Sequence, residues 1–261
     1  MKADVFGIDG KKTKQVELPK VFKEKIREDL IKRAVLSDQS KKYQPKGNYI
    51  WAGLETSARY RGRKEAYGSL KNKGQAMLPR EIRPKGRWGD VKVVPFSKGG
   101  RRAHPPKVEK VIIEKINKKE YEKALKSAIA ATANLEIVQK RGHKTEIVPI
   151  ILEDTFNKIN KTKEINKILS TLFREDLKRG KETKKRTTRK AGKRTPKTAL
   201  IVVTENSDLL KSSKNISGLD VVLTKDLTVE LLAPGASAGR LTCYTESALK
   251  ELEKMWYLWN H

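Results

Sequence analysis

One cysteine in 261 residues, Cys243, leaves no partner for an internal disulfide and no set of thiolates for a metal. It sits in the apolar run Leu241–Tyr244, where a buried, inert thiol is expected. His104 and His143 have no ligand partners at useful spacing, so neither a metal nor another cofactor is expected. Paired carboxylates, a nucleophile triad, a Gly-Lys-Ser/Thr phosphate loop and a GxGxxG fingerprint are all missing, which argues against an enzyme and against a small-molecule substrate. No apolar run reaches the roughly 20 residues that span a bilayer. No secretory signal is read either, so the expectation is a cytosolic chain without a membrane partner.

Acidic residues are the other shortage. There are 31 against 59 Lys and Arg, and the formal net charge is +28. The excess is concentrated in two segments. The stretch Lys41–Lys107 carries eighteen cations and four acids, and the run Lys178–Lys197 carries eleven cations against Glu182 alone. The remaining residues are close to neutral, so the charge reads as a polyanion-binding device rather than general solubility.

The first stretch is the one around which the chain is organised. It has nine glycines, six prolines, few large apolar residues, no helical period and no sustained alternation. Ordering each backbone residue costs roughly 1–2 kcal/mol, so such a stretch is not expected to fold on itself. Yet Tyr43, Tyr49, Trp51, Tyr60, Tyr67, Trp88 and Phe96 are spread through it, whereas disordered linkers are poor in aromatics. Arginines interleaved with planar side chains suit a partner that offers phosphates and exposed bases. The reading is an arm that becomes ordered on RNA.

The rest of the chain alternates. Ala3–Ile8 and Gln15–Leu18 read as short strands, and Val21–Val35 carries a helical stripe that fades near Ser40. Asn117 with Glu120 three residues on fits a capping box ahead of the alanine-rich helix Tyr121–Asn134, which is expected to pack closely on a sheet. Glu136–Gln139 reads as a short separate turn. Glu146–Leu152 is a near-continuous apolar run, as in a parallel strand covered on both faces, with Pro149 suggesting an edge or a bulge. Thr162–Leu172 is a helix, Thr198–Thr204 the clearest central strand, Asp208–Lys214 a helix, and Leu219–Leu223 and Leu241–Tyr244 strands, before a terminal helix Thr245–Trp259. The pattern implies an α/β class: a parallel-sheet, Rossmann-like globular domain. The body comprises 1–40 and 108–261, with the basic loop 178–197 inserted in it, and 41–107 is the extended arm.

The residues expected to meet RNA in the arm are Arg59, Tyr60, Arg61, Arg63, Lys64, Lys71, Lys73, Arg80, Arg83, Lys85, Arg87, Trp88, Lys98, Arg101, Arg102, His104 and Lys107. In the second run they are Lys184, Lys185, Arg186, Arg189, Lys190, Lys193 and Arg194. Tyr60 and Trp88 are the candidates for stacking on unpaired bases. His104 is read as a hydrogen-bonding or stacking residue, and His143 as structural or phosphate-contacting. The loop Ala233–Gly239 reads as structural, with anion contact through its N–H groups left open. Trp256 and Trp259 read as core packing or a docking surface. On residues alone, a free regulator of messenger RNA or DNA, and a nucleic-acid enzyme with a cryptic site, stay as alternatives.

Several motifs stand together in order: Gly100–Lys107 (GRRAHPPK), Ala128–Ala133 (AIAATA), Arg141–His143 (RGH), Leu232–Gly235 (LAPG), Ala238–Thr242 (AGRLT) and Tyr244–Leu249 (YTESAL). Together they resemble the universal large-subunit ribosomal protein family numbered four, in its archaeal–eukaryotic branch, over essentially the whole chain. The resemblance implies a ribosomal α/β protein bound to large-subunit ribosomal RNA. Its long loop would penetrate that RNA, support subunit assembly and reach the wall of the peptide exit tunnel. By position the tip is Gly68, Ser69, Leu70, Lys71, Asn72, Lys73, Gly74, Gln75, Ala76 and Met77, beside the protein numbered twenty-two of the same subunit. Lys71 and Lys73 stand where the family often has arginine. Going out and back, residues 41–107 give about 33 residues each way, which at roughly 3.3 Å per residue span at most about 100 Å.

Overall fold

The computed structural model describes residues 1–182, 184–185, 193–204 and 208–258. It holds two compact units: Met1–Lys42 with the chain from Ile113 onward, and Tyr43–Ile112. In the first, β1 (Lys2–Phe6) turns back at Gly7–Gly10 onto β2 (Lys12–Glu17), and α1 (Glu28–Ser40) follows. The second unit contains β3 (Arg80–Ile82) and β4 (Trp88–Val91). The first unit then resumes with α2 (Lys118–Thr132), α3 (Leu135–Lys140), β5 (Ile150–Leu152) and α4 (Thr162–Lys181). Next come β6 (Lys184–Lys185), β7 (Lys193–Arg194), β8 (Ala199–Val203), α5 (Asp208–Ser213) and β9 (Asp220–Leu223). The described chain closes with α6 (Val229–Leu232), β10 (Leu241–Thr245) and α7 (Glu246–Leu258).

The main sheet runs β2-β1-β5-β10-β8-β9. All its neighbours pair in parallel except the hairpin β1–β2. The likeness to a dinucleotide fold stops at this architecture, because β10 inserts between β5 and β8, an order unlike that of the doubly wound nucleotide sheets. Side chains alternate between two cores. Val5, Ile151, Leu200, Val202 and Tyr244 face α1, α2, α6 and α7, while Phe6, Ile150, Leu152, Ile201, Val203 and Cys243 face α4 and α5. Tyr244 meets Phe22 edge to face at 5.4 Å and shares a 3.0 Å hydrogen bond with Thr132. Ala124, Ala128 and Ala131 bring α2 close to its neighbours, as its composition predicts. Cys243 is fully buried, and burial pushes its thiol pKa up, as expected of an inert cysteine.

Three local expectations are corrected. The stripe from Val21 is not one helix: a 3-10 turn, Lys20–Lys23, is followed by extended chain before α1. Ser127 of α2 causes the break, donating its hydroxyl to Lys25 O (3.0 Å) and accepting from Arg27 N–H (2.6 Å). Asn117 occupies the first cap of α2 without a side-chain bond, and the Glu120 carboxylate that would complete the box pairs with Arg33 of α1 instead (2.7 Å); it is Asn134 that caps a helix, α3. Pro149 marks neither an edge nor a bulge. It precedes β5, which lies inside the sheet between β1 and β10. Trp256 packs on the α1/α2 core, and Trp259 lies outside the described residues.

Two serines tie the ends of the insertion together. Ser37 Oγ donates to Glu114 O (2.7 Å) and Ser40 Oγ accepts from Glu114 N–H (2.9 Å). Both serines are buried. Each bond is worth about 1 kcal/mol. Replacing Ser37 and Ser40 by Ala should therefore speed hydrogen exchange at the Glu114 amide by about fivefold or more, with little change in the global unfolding midpoint. Unchanged exchange would show that the serines do not hold this junction.

Candidate nucleic-acid interface

The second unit is not devoid of regular structure, contrary to its reading as a stretch unable to fold on itself. β3 and β4 pair antiparallel around Pro84–Gly86, where Lys85 and Gly86 take positive φ. Arg59 adds a third segment through reciprocal backbone bonds with Arg80 (3.1 and 3.4 Å). Leu70 is the buried centre, and Trp88 Nε1 donates to Gly68 O (3.2 Å). Backbone pairing about one leucine is a small centre for so much charge, and periodicity does not reveal it.

This frame brings Arg59, Arg61, Arg80, Arg87 and Trp88 around one small cleft of about 20 Å³. Arg80 Nε is buried there without a hydrogen-bond partner among the described residues. Lys73 Nζ stands 5.4 Å from the Trp88 ring centre, so that indole face already carries a cation. Tyr60, by contrast, is 56% exposed. Arg63, Lys64, Lys71, Lys85, Lys98, Arg101, Arg102, His104 and Lys107 are also exposed. Among the described residues of this unit, the ion pair seen is Arg83–Asp90 at 3.5 Å. Cations left without carboxylates keep their donors for an external anion.

The turn before Arg101–Arg102 requires glycine. A Cβ on Gly100 would lie 2.0 Å from Val94 O, and one on Gly53 would lie 2.7 Å from Arg101 Cα. Within the segment matched to a tip, Ser69 and Leu70 are buried, whereas 71–77 are exposed.

In the first unit the second basic run is only partly irregular. Lys178 and Lys181 lie on the last turn of α4, and Lys184–Lys185 pair antiparallel with Lys193–Arg194. Arg186, Arg189 and Lys190 lie outside the described residues. Nearby, the segments 141–143 and 233–241 converge, although they are almost a hundred positions apart. Arg141 donates to Pro234 O (2.8 Å), Ala238 O (3.4 Å) and Ser237 O. The loop Ala233–Gly239 therefore presents carbonyls to a guanidinium, which makes it structural. His143 Nδ1 bonds Asp176 Oδ1 (2.8 Å), and its Nε2 accepts from Leu241 N–H (3.4 Å), so His143 is a structural strut with both nitrogens engaged. Arg240 is buried on the carbonyls of Thr198, Ala199 and Leu231 and on Asp220 Oδ2 (2.7 Å), while Asp220 Oδ1 receives Lys197 (2.6 Å). Among the described residues no group of His, Cys, Asp and Glu is arranged to hold a metal ion, and no helix is long and apolar enough to cross a membrane.

Residues 16–255 match the pattern of the family described as Ribosomal protein L4/L1 family. The chain belongs to the ribosomal protein L4/L1 family. It is similar to the large ribosomal subunit protein uL4 of Methanocaldococcus jannaschii, with 45% identity covering 97% of this chain and 99% of that protein. The proteins of the same name from Methanosphaera stadtmanae (42%, 96% of each chain) and Methanoculleus marisnigri (40%, 97% and 99%) are similar over comparable lengths. Of the motifs named above, AIAATA lies on α2 and YTESAL spans β10 and the start of α7, and the other four fall in two places. GRRAHPPK belongs to the exposed turn of the arm, while RGH and LAPG…AGRLT form the carbonyl-and-arginine junction of the body. Sequence reasoning missed Arg141, Arg179 and Lys197 as members of one cluster. The signals they gave were separate: Arg141 lies inside the RGH motif, and Arg179 and Lys197 lie inside the basic run.

Proposed function

We propose that this L4/L1 family protein is a structural component of the large ribosomal subunit and acts in the cytoplasm by binding large-subunit ribosomal RNA. The observation that carries the reading is the family match over residues 16–255, joined to the unit Tyr43–Ile112, in which most cations are exposed and the ion pair seen among the described residues is Arg83–Asp90. Lys and Arg neutralise closely spaced phosphates and release counterions. Arg59, Arg61, Arg63, Arg80, Arg83, Arg87, Arg101 and Arg102 add forked hydrogen bonds and stacking. Tyr60 offers a free face to an unstacked base, and Trp88 offers the face opposite Lys73.

In this reading 41–107 is an arm laid into RNA, with exit-tunnel contact made by the exposed part of 68–77 next to the protein numbered twenty-two. The arm supports assembly by linking RNA segments, and Lys184, Lys185, Arg186, Arg189, Lys190, Lys193 and Arg194 add contacts from the body. A family of ribosomal proteins and a chain without a nucleotide fingerprint both speak against an enzymatic role.

Sedimentation of cell extract through a sucrose gradient in high salt tests the reading. The chain should travel with the large subunit and resist the salt wash. A chain that stays at the top of the gradient would reopen the regulatory and enzymatic alternatives.

A further inference from the structure

The body contains a second concentration of positive charge that none of the arm residues explains. Arg141, His143, Arg179, Lys197, Pro234 and Ser237 border an open cavity of about 320 Å³, on the side of the sheet where β8 and β10 begin. Among the described residues lining it there are three cations and no carboxylate. The cations come from three separate segments, and each is anchored. Arg141 is held by the loop carbonyls, Arg179 Nη1 by Gly142 O (2.8 Å) and Lys197 by Asp220.

We propose that this cavity is a binding site for one phosphate group. Anchoring uses only part of each donor set. The bonds of Arg141 engage its two Nη atoms, those of Arg179 engage Nη1 and those of Lys197 one ammonium hydrogen, so Nε–H groups, an Nη2 and two ammonium hydrogens remain for a ligand. Forked guanidinium donors fixed in position match the several oxygens of a phosphate better than those of a single carbonyl. The charges are also crowded. Burial, then Arg240 and Arg179 as like charges, bring the Arg141 pKa down to about 10, which still leaves it cationic at neutral pH. Among the described residues, the carboxylate bonded to this group of cations is Asp220, already shared between Lys197 and Arg240. An anion in the cavity relieves that repulsion, whereas an apolar ligand does not. His143 has both ring nitrogens engaged and serves as a wall.

The phosphate has two sources, an RNA backbone or the free ion. Only the first rests on the ribosomal reading. The test uses the full chain, with inorganic phosphate as the probe and chloride at equal ionic strength as the control. The observable is the set of Arg141 and Arg179 Nε–H resonances and the Gly142 amide. We expect saturable shifts at these groups with phosphate and none with chloride. Ser237→Glu keeps the backbone carbonyl that Arg141 uses and places a carboxylate beside the cations. It should weaken phosphate binding by about tenfold or more without lowering the unfolding midpoint. Arg179→Gln combined with Lys197→Gln should weaken it comparably.

Shifts that are non-saturable or equal in chloride, or an affinity unchanged by Ser237→Glu, would overturn the site. If the chain saturated with a large-subunit RNA fragment no longer responds to phosphate, the RNA backbone is the occupant. If it still responds, the free ion is. Should the chain bind no RNA at all, the ribosomal reading fails while the phosphate titration still decides the cavity.

Discussion

Asp220→Ala should cost the protein about 3 kcal/mol of unfolding free energy, toward the lower end of the range for breaking a buried ion pair. The Arg240 side chain is 1% exposed and its counter-charge is the Asp220 carboxylate at 2.7 Å. Removing that carboxylate leaves a guanidinium inside the body with only the carbonyls of Thr198, Ala199 and Leu231. Those three acceptors are the reason for choosing the lower figure, because they solvate the charge in part. Asp220→Asn should lose less, since an amide oxygen still accepts from Arg240. The effect carries a pH signature. Burial raises the Asp220 pKa, but Lys197 and Arg240 outweigh it, so the folded carboxyl titrates below the ordinary aspartate range. The unfolded chain therefore takes up the proton first as pH falls. The contribution is fully present above the ordinary aspartate range and is lost below it, through the folded pKa. Urea unfolding followed at pH 7 and at acid pH checks both claims. A loss below about 1 kcal/mol at pH 7 would mean that the pair is no stronger than a surface salt bridge.

The same pair illustrates what could be read from the chain and what could not. The strand Thr198–Thr204 was visible because five apolar residues in a row, three of them β-branched, in a run too short for a helix suit a sheet covered on both faces. That Arg240 would feed three carbonyls around that strand was not visible, since its partners lie 9 to 42 positions away. The break ahead of α1 has the same origin: its hydrophobic stripe is intact, and the interruption is imposed by Ser127, a hundred residues on. β5 was legible as a strand but not as an interior one, because sheet order is decided by which crossover packs where. In the arm the relation is reversed. Its charge is obvious from composition because solvated cations do not depend on packing, whereas the pairing of β3 with β4 rests on two stretches of three and four residues with no period to detect. The cavity at Arg141, Arg179 and Lys197 combines both difficulties, with ordinary-looking cations from three segments gathered only by the fold.

Replacing Arg101 and Arg102 together by Ala should weaken retention of the protein on large-subunit RNA by about tenfold to a hundredfold, at about 1.5–3 kcal/mol for each charged hydrogen-bonding side chain and with incomplete additivity. The body should unfold at an unchanged midpoint. Both side chains are exposed and lie in the unit formed by Tyr43–Ile112. Two lost phosphate contacts should also flatten the dependence of log K on log salt by between one and two units. Lysine at both positions separates charge from shape: it should restore the salt slope while leaving part of the affinity missing, because an ammonium does not reproduce the guanidinium fork. Gly100→Ala gives an independent arm of the test. Its Cβ would collide with Val94 O, so the turn must shift and the arginines are re-aimed with their charge intact. That chain should lose affinity with little change in salt slope, the opposite of the alanine pair. Retention and salt slope both unchanged in the Arg101→Ala, Arg102→Ala chain, at an equal melting temperature, would remove this turn from the RNA interface and leave the burden of binding to the cleft around Arg59, Arg61, Arg80 and Arg87.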